Sequence, residues 1–197
     1  MAYKRILLKI SGESLSGDKN YGISTSMLQY YADEIKTVYD KHIQTAIVIG
    51  GGNIFRGLQG VDVGFDRLQG DYMGMLATII NSMALQTQLQ SMGMKAVVLS
   101  GLVIDPLCKK MSSQRAIHYL EAGYVVIIGG GTGNPFFTTD SSGALRALEI
   151  KADILLKGTR VDGVYDADPE KNKHAVKFES LSFEKAYKEG LHIMDLT

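Results

Sequence analysis

Residues Gly129–Asp140 read GGGTGNPFFTTD. An apolar, β-branched run, Tyr124–Ile128 (YVVII), precedes them, and a helical-looking segment, Ser141–Ile150 (SSGALRALEI), follows. The order is therefore strand, glycine turn, loop, helix. Glycines at 129, 130, 131 and 133 let backbone approach a ligand without a Cβ in the way. Thr138, Thr139 and Asp140 set hydroxyls and a carboxylate at the entrance of the helix. Free N–H groups at such an entrance favour an anion, commonly a phosphate. An ordinary tight turn with a Thr/Asp cap accounts for this stretch equally well on its own. Two more strand ends carrying the same chemistry weigh against that plainer account.

The first of them is Arg5–Ile10 (RILLKI), a nearly continuous apolar run of the kind buried parallel strands show. It ends in Lys9-Ile10-Ser11-Gly12, a cation beside backbone donors at a strand's carboxyl end, where open α/β sheets bind ligands. A lysine merely snorkelling from a strand terminus is the alternative. The second is Thr45–Ile49, which runs into Gly50-Gly51-Gly52-Asn53-Ile54-Phe55-Arg56-Gly57. The arginine fork there suits bidentate recognition of phosphate. Ala152–Lys157 (ADILLK) repeats the strand-then-lysine arrangement and leads into a turn-rich segment with alternating acids, Gly158–Pro169. Ala96–Leu99 is a further short strand. Helical patterns cover Ser24–Asp40, Asp66–Met92, Ser112–Ala122 and Leu181–Glu189, several opened by Ser, Thr or Asp and closed by Gly. Gly17–Gly22 (GDKNYG) reads as a polar loop. Asp71, near the start of the longest helix, fits a first-turn acid as well as a ligand contact.

Composition narrows the function classes. The chain has 197 residues, 45% of them hydrophobic, with 21 basic and 21 acidic side chains. Zero net charge argues against a generic nucleic-acid or polybasic membrane binder. Cys108 is the single cysteine, so a disulfide within the chain is impossible and a reducing, cytoplasmic setting is expected. Tyr3–Ile10 is too short and too charged for a signal peptide, and no apolar run approaches the ~20 residues of a membrane span. The 22 glycines exceed the usual share of about 7% and cluster after apolar runs. No repeat or linker divides the sequence, so residues 1–197 are expected as one α/β domain.

Neither G-x-x-x-x-G-K-[ST] nor the strict G-x-G-x-x-G fingerprint occurs, which removes the main support for P-loop and dinucleotide readings. His42, His118, His174 and His192 show no metal-ligand spacing, so no protein metal site is expected. What remains is alternating strand and helix, glycines at strand ends, and Lys9, Arg56 and Lys157 placed to meet phosphates. That pattern fits phosphoryl transfer between two bound phosphate compounds, where positioning and electrostatics do most of the work.

The segments KRILLKISGE, VIGGGNIFRG, GDYMGMLATIIN, GTGNPFFTTDS and LLKGTRVDGVYDADP together resemble the bacterial uridylate (UMP) kinases of the amino-acid kinase superfamily. The resemblance runs in order from Lys4 to about Leu196. Family members continue for several dozen residues beyond Met194-Asp195-Leu196, so a final strand and helix region is expected to lie outside these 197 residues. The resemblance implies a three-layer α/β/α sandwich on a largely parallel sheet. It also implies magnesium-dependent transfer of the ATP γ-phosphate to UMP in pyrimidine nucleotide biosynthesis, by a hexamer that GTP activates and UTP inhibits.

Carried over by position, Lys9, Ile10, Ser11 and Gly12 resemble the ATP phosphate contact, with Gly52, Lys157 and Arg56. Thr159, Tyr165 and Asp168 resemble the adenosine side. Gly51, Arg56, Asp71 and the run Thr132, Gly133, Asn134, Pro135, Phe136, Phe137, Thr138, Thr139 resemble the UMP side. Gly17, Asp18, Lys19, Asn20, Tyr21 and Gly22 match the family's GTP-effector loop. Lys9 and Lys157 would balance charge on the transferred group, and Asp140 would orient them, unless it is a simple helix cap. Asp71 would accept from ribose hydroxyls, and magnesium would arrive on the ATP phosphates. The alternative from another class is a sensor or storage protein on the same fold that binds a nucleotide and transfers nothing. A relative acting on a carboxylate or carbamate leaves the Asp71 and GTGNPFFTTD match unexplained.

Overall fold

Each apolar run expected as a strand enters one sheet. The computed structural model describes residues 3–55, 66–159, 161–191 and 193–194. Its strands are β1 (Arg5–Ile10), β2 (Gln44–Ile49), β3 (Ala96–Ser100), β4 (Lys109–Lys110), β5 (Val125–Gly129) and β6 (Ile154–Lys157). They lie in the order β4-β3-β5-β2-β1-β6, and every neighbouring pair is parallel. The helices are α1 (Thr25–Tyr39), α2 (Arg67–Ser91), α3 (Ser113–Glu121), α4 (Thr139–Glu149) and α5 (Phe183–Lys188).

The strands are apolar throughout because both sheet faces are covered. In β2, Ile47 and Ile49 join Leu28, Ala32 and Ile35 of α1 and Leu85 and Leu89 of α2. The alternate residues Ala46 and Val48 join Ala116 and Leu120 of α3, with Ala147 of α4 packed alongside. β5 divides in the same way, Val125 and Ile127 to one side and Val126 and Ile128 to the other. Side chains two apart share a face of a strand, so the result is the expected α/β/α sandwich. Truncating a residue such as the fully buried Ile127 to alanine would cost about 2–5 kcal/mol.

Helix boundaries follow local chemistry. Ser112, Thr138 and Ser182 cap α3, α4 and α5, their side chains accepting from the backbone N–H three residues on, as favoured N-caps do. Gly93, Gly123 and Gly190, with φ of +81°, +78° and +64°, close α2, α3 and α5 in the left-handed conformation usual after a helix. β6 begins two residues later than the sequence pattern suggests. Asp153 spends its carboxylate instead on the N–H groups of Lys4 and Arg5, at 2.8 and 2.9 Å. Those bonds, Arg5 first, hold the Asp153 carboxyl below its ordinary value of 3.8.

Cα packing resolves two compact units, one extending to Gly158 and the other covering Thr159–Leu196; no linker-like composition marks the division. The first carries the whole sheet. In the second, Tyr165 pairs with Lys177 in an antiparallel bridge and α5 follows. With all strands parallel, the ends of β1, β2, β5 and β6 emerge along one edge of the sheet, and the glycine turns lie there.

Candidate active site

Two strands and one helix converge on a single carboxylate. Lys9 and Lys157 are register partners on the adjacent parallel strands β1 and β6, so their side chains leave the same face. That face is covered by α4, whose first turn carries Asp140. Lys9 Nζ lies 2.7 Å from Asp140 Oδ1, and Lys157 Nζ lies 2.8 Å from Asp140 Oδ2. The Asp140 side chain is 1% exposed, against 13% for Lys9 and 30% for Lys157. Two ammonium groups thus share one buried carboxylate, and the cluster keeps a net positive charge facing the open strand ends. The simple-cap reading of Asp140 gives way here, because Thr138 is the cap and Asp140 is an ion-pair centre.

The turn after β1 packs tightly on the turn after β2. A Cβ on Gly12 would come within 2.5 Å of the Gly50 carbonyl oxygen and 2.7 Å of Asn53 Oδ1, so only glycine fits there. Ile10 is 2% exposed and belongs to the core. Its carbonyl accepts from Gly50 N at 2.9 Å. The carbonyl of Ser11 accepts from Ser14. The polar loop expected at Gly17–Gly22 begins as a short 3₁₀ turn, Gly17–Lys19, and leaves through Asn20 and Gly22 at φ +56° and +77°.

On the side of β5, the turn is fixed by three side chains. Thr78 Oγ1 accepts from Gly130 N at 2.8 Å. Arg146 of α4 donates to the Gly131 carbonyl at 2.9 Å and is braced by Glu149 at 2.6 Å. Asp71 Oδ2 accepts from Phe136 N at 2.7 Å. Phe136 is held at φ +69°, a costly region for a side chain-bearing residue, and Arg67 lies 5.3 Å from the centre of its ring.

Between this loop, α2 and the β2 turn is a cavity of about 190 Å³. Of the residues expected on the acceptor side, Gly51, Asp71, Asn134, Pro135, Phe137, Thr138 and Thr139 line it, and Gly52, expected on the donor side, joins them. Thr132, Gly133 and Phe136 belong to the same loop without lining the cavity. Gly131, one of the glycines expected to approach a ligand, lines it too, while the sequence did not point to Gly70, Gly74, Met75 and Thr78 of α2 or to Phe55. Gly70 and Gly74 flank Asp71 one helical turn apart, a signal masked by the apolar pattern of that helix.

Arg56 lies outside the described residues. Thr159, Tyr165 and Asp168 lie in the second unit. There the Tyr165 hydroxyl donates to Asp162 Oδ1, and Lys177 Nζ donates to Asp162 Oδ2 at 2.8 Å. The hydrogen bond to Asp162 raises the Tyr165 phenol above 10.0, while Lys177 and then Tyr165 lower the Asp162 carboxyl. Asp168 Oδ1 accepts from Glu170 N at 2.9 Å. Among the described residues no group of three or more His, Cys, Asp or Glu could hold a metal ion.

Comparison with known proteins places these features in a family context. A model of the amino acid kinase family matches residues 4–196. The chain is 55% identical over 195 residues to a uridylate kinase of Bacteroides thetaiotaomicron, covering 99% of this chain and 83% of that protein. It is 56% identical, with the same coverage, to a uridylate kinase of Parabacteroides distasonis. Among solved structures, a UMP kinase from Bacillus anthracis superposes with a TM-score of 0.95 at 38% identity, covering 99% of this chain and 81% of that one. A uridylate kinase from Archaeoglobus fulgidus superposes with a TM-score of 0.70 at 30% identity, covering 93% and 76%.

Proposed function

The chain belongs to the amino acid kinase family, and from that premise we propose that it transfers the γ-phosphate of ATP to UMP, giving ADP and UDP. The observation that carries this reading is the Lys9–Asp140–Lys157 cluster at the strand ends of the sheet that also bears the lined cavity. The acceptor of such a reaction is itself a phosphate, largely ionised near neutral pH because its second pKa lies near ~6. It needs no general base to become a nucleophile. What it needs is positive charge to hold two anions together and to stabilise charge spread over the transferred group.

Lys9 and Lys157 supply that charge. Asp140 fixes both ammonium groups and limits their mutual repulsion, while its own oxygens are engaged and turned from phosphate. The amides of Ser11, Gly12 and Gly52 are donors for ATP phosphate oxygens. Asp71 presents a carboxylate to ribose hydroxyls, and the loop Thr132–Thr139 presents amides and hydroxyls to uracil and the acceptor phosphate. Arg56 neutralises the phosphates. Thr159, Tyr165 and Asp168 take the adenosine of ATP. The ATP phosphates would carry magnesium, which would screen their charge; Asp140, bound by two lysines, would be a poor direct ligand for it. Regulation by GTP through Gly17–Gly22 and by UTP, assembly into a hexamer, and a cytoplasmic location complete the proposal. No helix among the described residues is long and apolar enough to cross a membrane.

The direct test is ADP release from ATP with UMP, CMP, dCMP, AMP and GMP in parallel. UMP should be strongly preferred, because a mismatched base leaves buried polar groups unpaired. Equal turnover of UMP and CMP would discard the acceptor assignment, and nucleotide binding without ADP release would favour the sensor.

A further inference from the structure

Asn53 and Asn81 are 1% and 0% exposed, and they face each other. Asn53 Nδ2 donates to Asn81 Oδ1 at 3.0 Å, and Asn81 Nδ2 donates to Asn53 Oδ1 at 2.7 Å. Each amide has a second hydrogen, and each spends it on a backbone carbonyl. Asn81 donates to Gly50 at 2.8 Å and Asn53 to Gly22 at 2.8 Å. The main-chain carbonyl of Asn53 also accepts from Gly22 N at 2.7 Å. Asparagine is the short, uncharged side chain that can both give and take at one site. Buried amides are tolerated only when so satisfied, and an apolar pair would fill the space without tying three backbone segments together.

Those segments are the ones the reaction depends on. Gly50 and Asn53 bracket Gly51 and Gly52, which line the cavity, and Asn53 Oδ1 lies 2.7 Å from where a Cβ of Gly12 would be. Asn81 lies on α2, one turn beyond Thr78, which holds Gly130. Asp71 of the same helix holds Phe136. α2 therefore fixes the β2 turn through Asn81 and the β5 turn through Thr78. We propose that the Asn53–Asn81 pair is a positioning clamp that sets the β2 turn against α2 and against the segment ending at Gly22. Its effect is to fix the spacing between the donor-side and acceptor-side turns. This rests on the phosphotransferase reading above.

The test compares wild type with Asn53→Ala, Asn81→Ala, the double variant and the gentler Asn81→Ser, each checked for folded content and melting temperature. Misplacement of reacting groups by about 1 Å can cost ~10²-fold in rate. The expected result is kcat per folded molecule lowered roughly 10- to 100-fold. Dissociation constants for UMP and for a non-hydrolysable ATP analogue should stay within a few-fold. Because the amides act as a unit, the double variant should lose no more than either single one. A lower melting temperature with kcat within twofold of wild type, or additive losses, overturns the clamp. If the alanine variants do not fold, Asn81→Ser decides on the same criteria. If wild type transfers nothing to UMP, the functional reading falls, and the clamp is judged by amide hydrogen exchange in Asn81→Ser. Faster exchange confined to Gly22 and Gly50–Asn53 supports it, and a uniform increase across the sheet overturns it.

Discussion

A carboxylate that serves two lysines makes different demands from one that serves a single partner. Removing Lys9 leaves Asp140 paired with Lys157, whereas removing Asp140 leaves two cations beside each other. Breaking a buried pair from one side costs about 3–5 kcal/mol. Asp140→Asn should therefore melt well below wild type as well as lose activity. Lys9→Ala should keep most of the stability but lose roughly 10²–10³ in kcat, the usual cost of removing one charge-stabilising donor. UMP calorimetry on the same preparation should still show binding, and turnover within a few-fold of wild type would remove Lys9 from the mechanism. Asp153 offers a contrast at the other end of β1, structural and titratable. Its folded pKa lies below the ordinary 3.8. Its contribution is thus complete above the unfolded value and is lost as pH falls through the folded one. Asp153→Asn should flatten the fall in melting temperature below about pH 4 while leaving UMP turnover unchanged. An acid limb as steep as that of wild type would show that the amide contacts contribute little.

At the scale of elements, the loop after β5 is tightly constrained. Gly133 sits at φ +89°, and a Cβ there would come within 2.8 Å of the Gly101 carbonyl oxygen. Left-handed conformation alone costs other residues about 1–2 kcal/mol, and the close approach adds to it. Gly133→Ala should lower the melting temperature and raise the KM for UMP by at least tenfold, with the KM for ATP little changed. Parallel effects on both substrates would mean the loop serves the whole site. Strands β1, β2 and β5 were legible because burial on both faces writes a parallel strand as an unbroken apolar run. The pair Lys109–Lys110 that forms β4 carries no such mark: it is exposed, two residues long, and paired with β3 at the end of the strand order. The 3₁₀ turns Gly12–Leu15 and Gly17–Lys19 are too short for periodicity to report. Lys9, Asp140 and Lys157 could be read individually because each sits at an element end. Asn53, Asn81 and Arg146 could not. Asn53 and Asn81 meet each other and, like Arg146, a backbone carbonyl only through tertiary packing, and no spacing in the chain encodes those contacts.

For the molecule as a whole, 21 basic and 21 acidic side chains balance, so two polyanionic substrates gain nothing from net charge. Attraction must come from the local field at the strand ends, where Lys9 and Lys157 face a low-dielectric sheet and the glycine turns present amides. That has a consequence for pH dependence. A phosphorylated hydroxyl would need a base, and its ionisation would shape the acid limb of kcat/KM. Here Asp140 is already committed to two ammonium groups, and among the described residues no histidine lines the cavity. The group that gains or loses a proton near neutrality is the acceptor phosphate, with its second pKa near ~6. Below that value the acceptor carries a proton, is a poorer nucleophile and draws less on the lysines. kcat/KM for UMP should therefore fall with unit slope as pH drops through about 6. A uridine phosphonate with a higher second pKa should carry the midpoint upward by the same interval, and a phosphorothioate with a lower one should carry it down. Asp71→Asn should weaken UMP yet leave the midpoint in place. A midpoint that ignores the acceptor's pKa and moves with a protein substitution would assign the proton to a side chain and require a different mechanism.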